Sequence, residues 1–390
     1  MLLIKTAFKN IIGNGKRTWL NVSVLSLTLV IMIAFYGIID GWLEEARLET
    51  IEWETGAGQL HHPEYDRFDV FTLHDAHGNI PNNLNEYINS GSAIPVLVMQ
   101  GSIYPQGRML NILVRGIPIT QKVLKLPTSE LIVEDDAIPC IIGKRAAKSA
   151  DLKTGDRVML RWRDKNGVFD AREIVVSHIF ETKVPSIDAG QIWIDIEMFY
   201  QMTGMESEAT YFILSENCPV KSDLNGWHYK SAKFLMADLD LMEQTARSES
   251  VVIFIILLSI GLLAVFDTQV LSIFRRQKEI GTYVALGMTP KKVTQLFTIE
   301  GTTYSILAVL VAIIWGTPVL YWISQTGWRM PAGFDDIGIA MGNALYPVYK
   351  FSSISYTILA IIIFSAIVSY IPARKIAKQN MVEALKGKIN

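Results

Sequence analysis

The residues able to do chemistry come first. His74 and His77 stand three apart in His74-Asp-Ala-His77, with His61-His62 upstream, so imidazoles could be offered to a metal ion. Pro63, Gly78 and Pro81 make this stretch a loop without a thiolate or a fixed helical face to set ligand geometry, so a solvated loop is expected and no metal site is assigned. Cys140 and Cys218 are the only thiols, too few for a four-thiolate zinc site or a disulfide scaffold. In an oxidising compartment they could pair, but Cys140 lies in the apolar run 137–142, where a buried free thiol is commoner; both readings stay open. There is no G-x-x-x-x-G-K-[ST] loop, since Gly13-Asn-Gly-Lys-Arg-Thr18 has the wrong spacing, and neither G-x-S-x-G nor H-E-x-x-H occurs. No catalytic residue is therefore expected, and nucleotide hydrolysis would have to come from another chain.

What must position any site is unusual. The 390 residues are 50% hydrophobic and only 19% charged, with mean hydropathy +0.27. This excludes an ordinary soluble enzyme, and a formal net charge of −2 excludes a nucleic-acid binder driven by bulk positive charge. Residues 18–39, 301–328 and 351–373 contain no Asp, Glu, Lys or Arg, and 250–274 only Asp267. Each approaches or exceeds the roughly 20 residues that cross a hydrocarbon core. Four transmembrane helices are predicted, at 18–39, 250–274, 298–323 and 351–373. Lys5, Lys9, Lys16 and Arg17 precede the first, Arg275, Arg276, Lys278, Lys291 and Lys292 follow the second, and Arg374, Lys375 and Lys378 follow the fourth. By the positive-inside rule these segments and both termini are cytoplasmic. Residues 1–17 read as an interfacial helix, with Leu3, Ile4, Ala7, Phe8, Ile11 and Ile12 at helical spacing. The first apolar run is too long for a cleavable signal and is expected to stay as an anchor.

Residues 40–249, about 210 in all, form an extracytoplasmic insertion long enough for its own core. A short helix after Gly143, a turn at Lys153-Thr-Gly-Asp156, alternation of Val158, Leu160 and Trp162 with Arg161 and Arg163, and strands at 173–180 and 191–196 make it an α+β domain. Its ends, 41–54 and 235–249, read as helical stalks continuing the first two spans. The remaining segments are a cytoplasmic stretch at 275–297, a periplasmic loop at 324–350 and a cytoplasmic tail at 374–390. Asp267, about two turns before Arg275, is expected to be a structural residue facing the bundle interior rather than a proton-coupling group.

Between the second and third spans, Gly287 can end one helix in the left-handed conformation, Thr289 can cap the next, and Pro290 suits its first turn. The product is a helix, a tight corner and a second helix. The corner presents Ala285 and Leu286 inside a basic rim, a knob for a groove on a cytoplasmic partner. The run Arg276-Gln-Lys-Glu-Ile-Gly-Thr-Tyr-Val-Ala-Leu-Gly287 resembles the E-R-x-x-E-I-G-x-x-x-A-L-G signature of ABC transporter permeases of the FtsX/MacB/LolC-LolE superfamily, the type VII mechanotransmitting group. The tail from Ile371-Pro-Ala-Arg to Glu383-Ala-Leu-Lys386 resembles their closing motif, with Asn380-Met381 where Asp-Pro is usual, and residues 141–158 resemble their periplasmic core domain.

That resemblance implies an α-helical membrane protein of four transmembrane helices with a large α+β, MacB-like periplasmic domain between helices 1 and 2, in the bacterial inner membrane. It implies a non-catalytic permease that binds no cofactor itself. Its partners would be two copies of a cytoplasmic ABC ATPase holding ATP and Mg, and a second permease in a homodimer or related heterodimer. Carried over by position, the ATPase-coupling residues are Arg275, Arg276, Glu279, Gly281, Ala285, Leu286, Gly287 and Pro290, with Pro372, Ala373 and Arg374 at the end of the fourth span. The absence of a fused ATPase favours the LolC/LolE arrangement, which extracts lipoproteins from the membrane. Phe35, Tyr36, Ile38 and Trp42 would then lie at the outer end of an apolar vestibule between two copies of the first span, or equally form an interfacial belt. The alternatives are MacB-like export with a periplasmic adaptor, and FtsX-like regulation of a cell-wall hydrolase, which the large insertion disfavours.

Overall fold

The computed structural model describes residues 15–132, 137–329 and 344–377. The amphipathic stretch from Leu3 to Ile12, the middle of the loop after the third span and the tail motif from Asn380 to Lys386 lie outside the described residues. The chain folds as two units, one helical and one an inserted unit built on Leu43–Met242.

The helical unit is built on α1 (Gly15–Thr50), α2 (Ala237–Arg275), α3 (Gln277–Ala285), α4 (Pro290–Thr326) and α5 (Phe351–Ala377). All but α3 are long and apolar enough to cross a membrane. Val22, Leu25, Leu29, Leu258, Leu262, Val265, Tyr304, Ala308 and Ile361 form their common core. Helices meet closely where side chains are small. A Cβ on Gly301 would overlap the Ser369 hydroxyl, and Ser365 Oγ donates to the Gly301 carbonyl at 3.3 Å, so α4 and α5 touch backbone to side chain. Polar pins add to this, with Thr268 Oγ1 donating to Asn21 Oδ1 at 3.1 Å and Trp315 Nε1 to Ser26 Oγ at 3.3 Å.

Asp267 departs from expectation. It is exposed on the face of α2 that carries Leu263, Leu271 and Phe274, whereas Leu262, Val265 and Gln269 point into the bundle. Apolar residues lie on every side of α2 and polar Gln269 and Ser272 turn inward, so neither class of residue marks the outward face.

The inserted unit is the α+β domain expected between the first two long helices. Its nine-stranded sheet contains β1 (Gly58–His61), β2 (Ala93–Ile103), β3 (Leu110–Ile117), β4 (Ile138–Gly143), β5 (Arg157–Arg163), β6 (Phe169–Phe180), β7 (Gln191–Asp195), β8 (Tyr211–Leu214) and β9 (His228–Ser231). The order is β9-β1-β8-β2-β3-β7-β4-β6-β5, and β5 also pairs with β2, so six strands close on themselves. Alternation fills that ring: Leu97, Met99, Ile112, Val114, Ile138, Cys140, Val158, Leu160, Trp162, Ile174 and Ile192 all point inward. The helices Lys144–Ala150 and Ile196–Thr203 add Ala147 and Phe199 to this core.

Cys140 and Cys218 are both free and buried. Cys140 belongs to the ring interior, while Cys218 packs with Leu60, Phe212 and Trp227 in a separate core, so the disulfide is not formed. Burial pushes the Cys140 thiol up to about 12, which leaves it an inert apolar group.

Candidate functional site

The corner after the second long helix is built from the sequence outward. Leu286 N–H bonds back to Thr282 O, Gly287 N–H to Val284 O at 2.9 Å and Met288 N–H to Tyr283 O at 3.0 Å, and Gly287 has φ +93°. The last two bonds are the paired closure of a helix end that needs a left-handed residue, which glycine adopts without a Cβ penalty. Thr289 stands at the N-cap of α4 and Pro290 follows in the first turn, but the Thr289 hydroxyl makes no cap bond; the turn is held instead by Lys292 N–H on Thr289 O at 2.9 Å.

Beneath the corner, Ile273, Ile280, Val293, Phe297 and Ala373 form an apolar core drawn from α2, α3, α4 and α5. Above it, Ala285, Leu286 and Gly287 are exposed, Leu286 by 81%. An isoleucine-anchored base carrying a bare leucine is a knob with no socket among the described residues.

The residue joining base to knob is Arg276. Its Nη1 reaches Glu300 Oε2 at 3.0 Å, its Nε reaches Glu279 Oε2 at 2.8 Å, and its guanidinium lies 5.2 Å from the Phe297 ring centre. The Glu300 side chain is fully buried and that of Arg276 is 12% exposed. Burial works against the arginine charge, yet Glu279 and Glu300 outweigh it and hold the guanidinium above its ordinary range. Arg276 thereby ties the start of α3 to the body of α4.

The expected coupling residues thus separate into two kinds. Arg275, Glu279, Ala285, Leu286, Gly287, Pro290 and Arg374 are exposed, whereas Gly281, Pro372 and Ala373 are buried and belong to the support. Pro290 and Arg374 share a groove of about 610 Å³ with Lys291, Thr294, Gln295 and Tyr370, and Arg374 lies 5.9 Å from the Tyr370 ring. Glu300 escapes the sequence reading. A signal for it is present, since it is the only acid between Lys292 and Arg329 and immediately precedes a charge-free run.

The other sequence candidates lie apart. Phe35, Tyr36, Ile38 and Trp42 are half-buried on α1, with the Tyr36 ring 6.4 Å from Phe254 of α2. His77 Nδ1 pairs with Glu208 at 2.5 Å, His74 with Asp75 at 3.2 Å, and His62 packs edge-on to Trp227. Among the described residues no three His, Cys, Asp or Glu side chains come together to hold a metal.

Residues 251–381 match the family described as FtsX-like permease C-terminal, a match that contains the corner, α4 and α5. No curated protein matches the chain. Among solved structures it is similar to the periplasmic region of MacB from Actinobacillus actinomycetemcomitans, with 10% identity and TM-score 0.32 over 50% of this chain and 97% of that one. It is also similar to the extracellular domain of the noncanonic ABC-type transporter YknZ from Gram-positive bacteria, with 13% identity and TM-score 0.24 over 42% of this chain and 84% of that one. Likenesses this distant assign no substrate.

Proposed function

We propose that the protein is an FtsX-like permease subunit of an ABC-type transporter, docking a separate ATPase through the knob at Ala285, Leu286 and Gly287. The observation that carries this reading is Leu286, 81% exposed on a corner whose base is buried, within the segment that matches the permease family. An exposed leucine on a rigid support is what a partner's apolar groove needs, because little side-chain or backbone freedom is lost on docking. Arg276 then passes a push on α3 to α4 through Glu300. In this reading the corner and both termini face the cytoplasm of the inner membrane, the inserted domain faces the periplasm, and two ATPases bind a dimer of permeases.

The substrate we assign is an acylated lipoprotein, released from the membrane as by LolC/LolE. Phe35, Tyr36 and Ile38, half-buried on α1, are apolar enough to meet acyl chains between two copies of that helix. Mass spectrometry of material co-purified with the tagged full chain tests both levels. An ATPase with acylated peptides supports lipoprotein release. An ATPase with an adaptor and an outer-membrane channel overturns the substrate and keeps the permease, and a hydrolase without lipoprotein does the same in favour of wall regulation. Loss of the ATPase under several gentle conditions overturns the permease reading itself.

A further inference from the structure

Within the inserted unit, Arg115 of β3 is a cation that no carboxylate contacts among the described residues, the charge of Glu54 acting on it only from across a cavity wall. Its Nη1 donates to the Tyr211 hydroxyl at 2.6 Å, and its guanidinium lies 5.3 Å from the Trp193 ring. Its Nε is buried with no hydrogen-bond partner, and burial of the guanidinium is opposed only by Tyr211, Tyr65 and the charge of Glu54. A guanidinium taken from water normally acquires a carboxylate or phosphate, because stacking and one phenol do not replace its lost hydration.

The group is not sealed into packing. It lines a cavity of about 250 Å³ together with Glu54, His61, Arg67, Tyr211 and Leu235. Arg67 enters from another segment, with Nη1 on the Leu235 carbonyl at 2.6 Å and Nη2 on Asp238 at 2.9 Å. Tyr211 accepts from Arg115, so its hydroxyl hydrogen is left to donate, and burial raises its pKa and keeps it protonated. Burial first, then the charges of Lys230, Arg67 and Arg115, hold the His61 pKa down to about 3, so this ring stays neutral. Its Nε2 is engaged by Gln59 at 2.7 Å. The one carboxylate in the wall, Glu54, already accepts from Ser186 at 2.8 Å.

We propose that this cavity binds an anionic group, a carboxylate or phosphate carried by a small molecule or by a lipid headgroup, with Arg115 as its principal ligand and Arg67 and Tyr211 beside it. The volume lies below the roughly 300–1,000 Å³ of drug-sized pockets, which suits a headgroup-sized anion and excludes an acyl chain. Its walls include Glu54, in the turn that ends the α1 extension, and Leu235, just before α2 begins. An anion here would join the two points at which the chain enters and leaves the β-sheet.

The full chain in phosphatidylcholine nanodiscs is titrated with inorganic phosphate and with succinate against sodium chloride at matched ionic strength, following its melting temperature. The same measurement in phosphatidylglycerol nanodiscs tests the headgroup source. Saturable stabilisation by phosphate or succinate identifies a small soluble ligand, and stabilisation by phosphatidylglycerol alone identifies a headgroup. In either case Arg115→Gln weakens the response about tenfold or more, the loss expected for charge-assisted hydrogen bonds to a desolvated anion. Glu54→Gln strengthens it, and Tyr211→Phe, which keeps the ring, weakens it several-fold; these two decide the matter if Arg115→Gln does not fold. No saturable response in any arm, or responses that none of the three substitutions alters, would overturn the proposal.

Discussion

Asp40 and Glu300 are both carboxylates buried in the helical unit and both answered by an arginine, but their surroundings are wired differently. Asp40 has side-chain exposure of 2% and is reached by Arg247 at 3.0 Å, Lys350 at 3.5 Å and Ser353 at 3.3 Å, groups from α2, the lead into α5 and α5 itself. Glu300 is met by Arg276, which also holds Glu279 on the exposed side of α3. The Asp40 cluster closes α1, α2 and α5 on one another and shares its load among several donors. The Glu300 pair connects a buried helix to a surface element through the Arg276 side chain. The first has the wiring of a lock and the second that of a linkage, a distinction that substitutions can break or sharpen.

The largest effect is expected at the linkage. Arg276→Ala takes the charge-assisted hydrogen bonds of one guanidinium from both Glu300 and Glu279, which should cost about 2–3 kcal/mol, read from the melting temperature of the purified chain. An Arg276→Ala variant as stable as wild type would show that Arg276 does not carry the connection.

Next comes a buried polar group kept neutral, the contrast to both charged clusters. His61 has a folded pKa of about 3 against an ordinary value of 6.5, so between these values the unfolded chain binds the extra proton. Stability from this residue is fully present above pH 6.5 and is lost as pH falls toward 3, amounting to about 2 kcal/mol by pH 5. His61→Gln should flatten that part of the pH profile; an unchanged acid limb would mean that other groups dominate it.

At the lock, Arg247→Ala should cost less, about 1 kcal/mol, because Lys350 and Ser353 remain on Asp40 and the Arg247 side chain is 43% exposed. A loss as large as that of Arg276→Ala would erase the distinction between lock and linkage. Smallest of all is Leu286→Asp, expected within about 0.5 kcal/mol of wild type because the side chain touches little of its own chain.

Much of this architecture is legible in the amino-acid order because it is local. Charge-free runs mark the four long helices, the alternation of Val158, Leu160 and Trp162 against arginines appears as a strand buried on one face, and Gly287 adopts the left-handed conformation its context suggests. What escapes is non-local. β2 reads as an apolar run interrupted by Pro95, because both faces of its first half are buried and no alternation survives. Closure of the six-stranded ring depends on β2 meeting β5, and no short-range signal encodes that pairing. At the corner, the exposed knob is local and readable, but the split between exposed Leu286 and buried Gly281, Pro372 and Ala373 depends on which helices converge there. Glu300 and Arg276 lie 24 positions apart, and Asp40 and Lys350 come together only in the folded bundle. The orientation of Asp267 escapes for the complementary reason, since apolar residues surround the helix and its polar neighbours Gln269 and Ser272 are the ones that turn inward.

Docking through the corner is tested most directly by the amount of ATPase retained by the full chain carrying Leu286→Asp, purified in mild detergent beside wild type, with the melting temperature of each measured in parallel. The expected result is loss of the ATPase from a permease that melts as wild type does. Retention of the ATPase at the wild-type ratio would contradict docking through this corner.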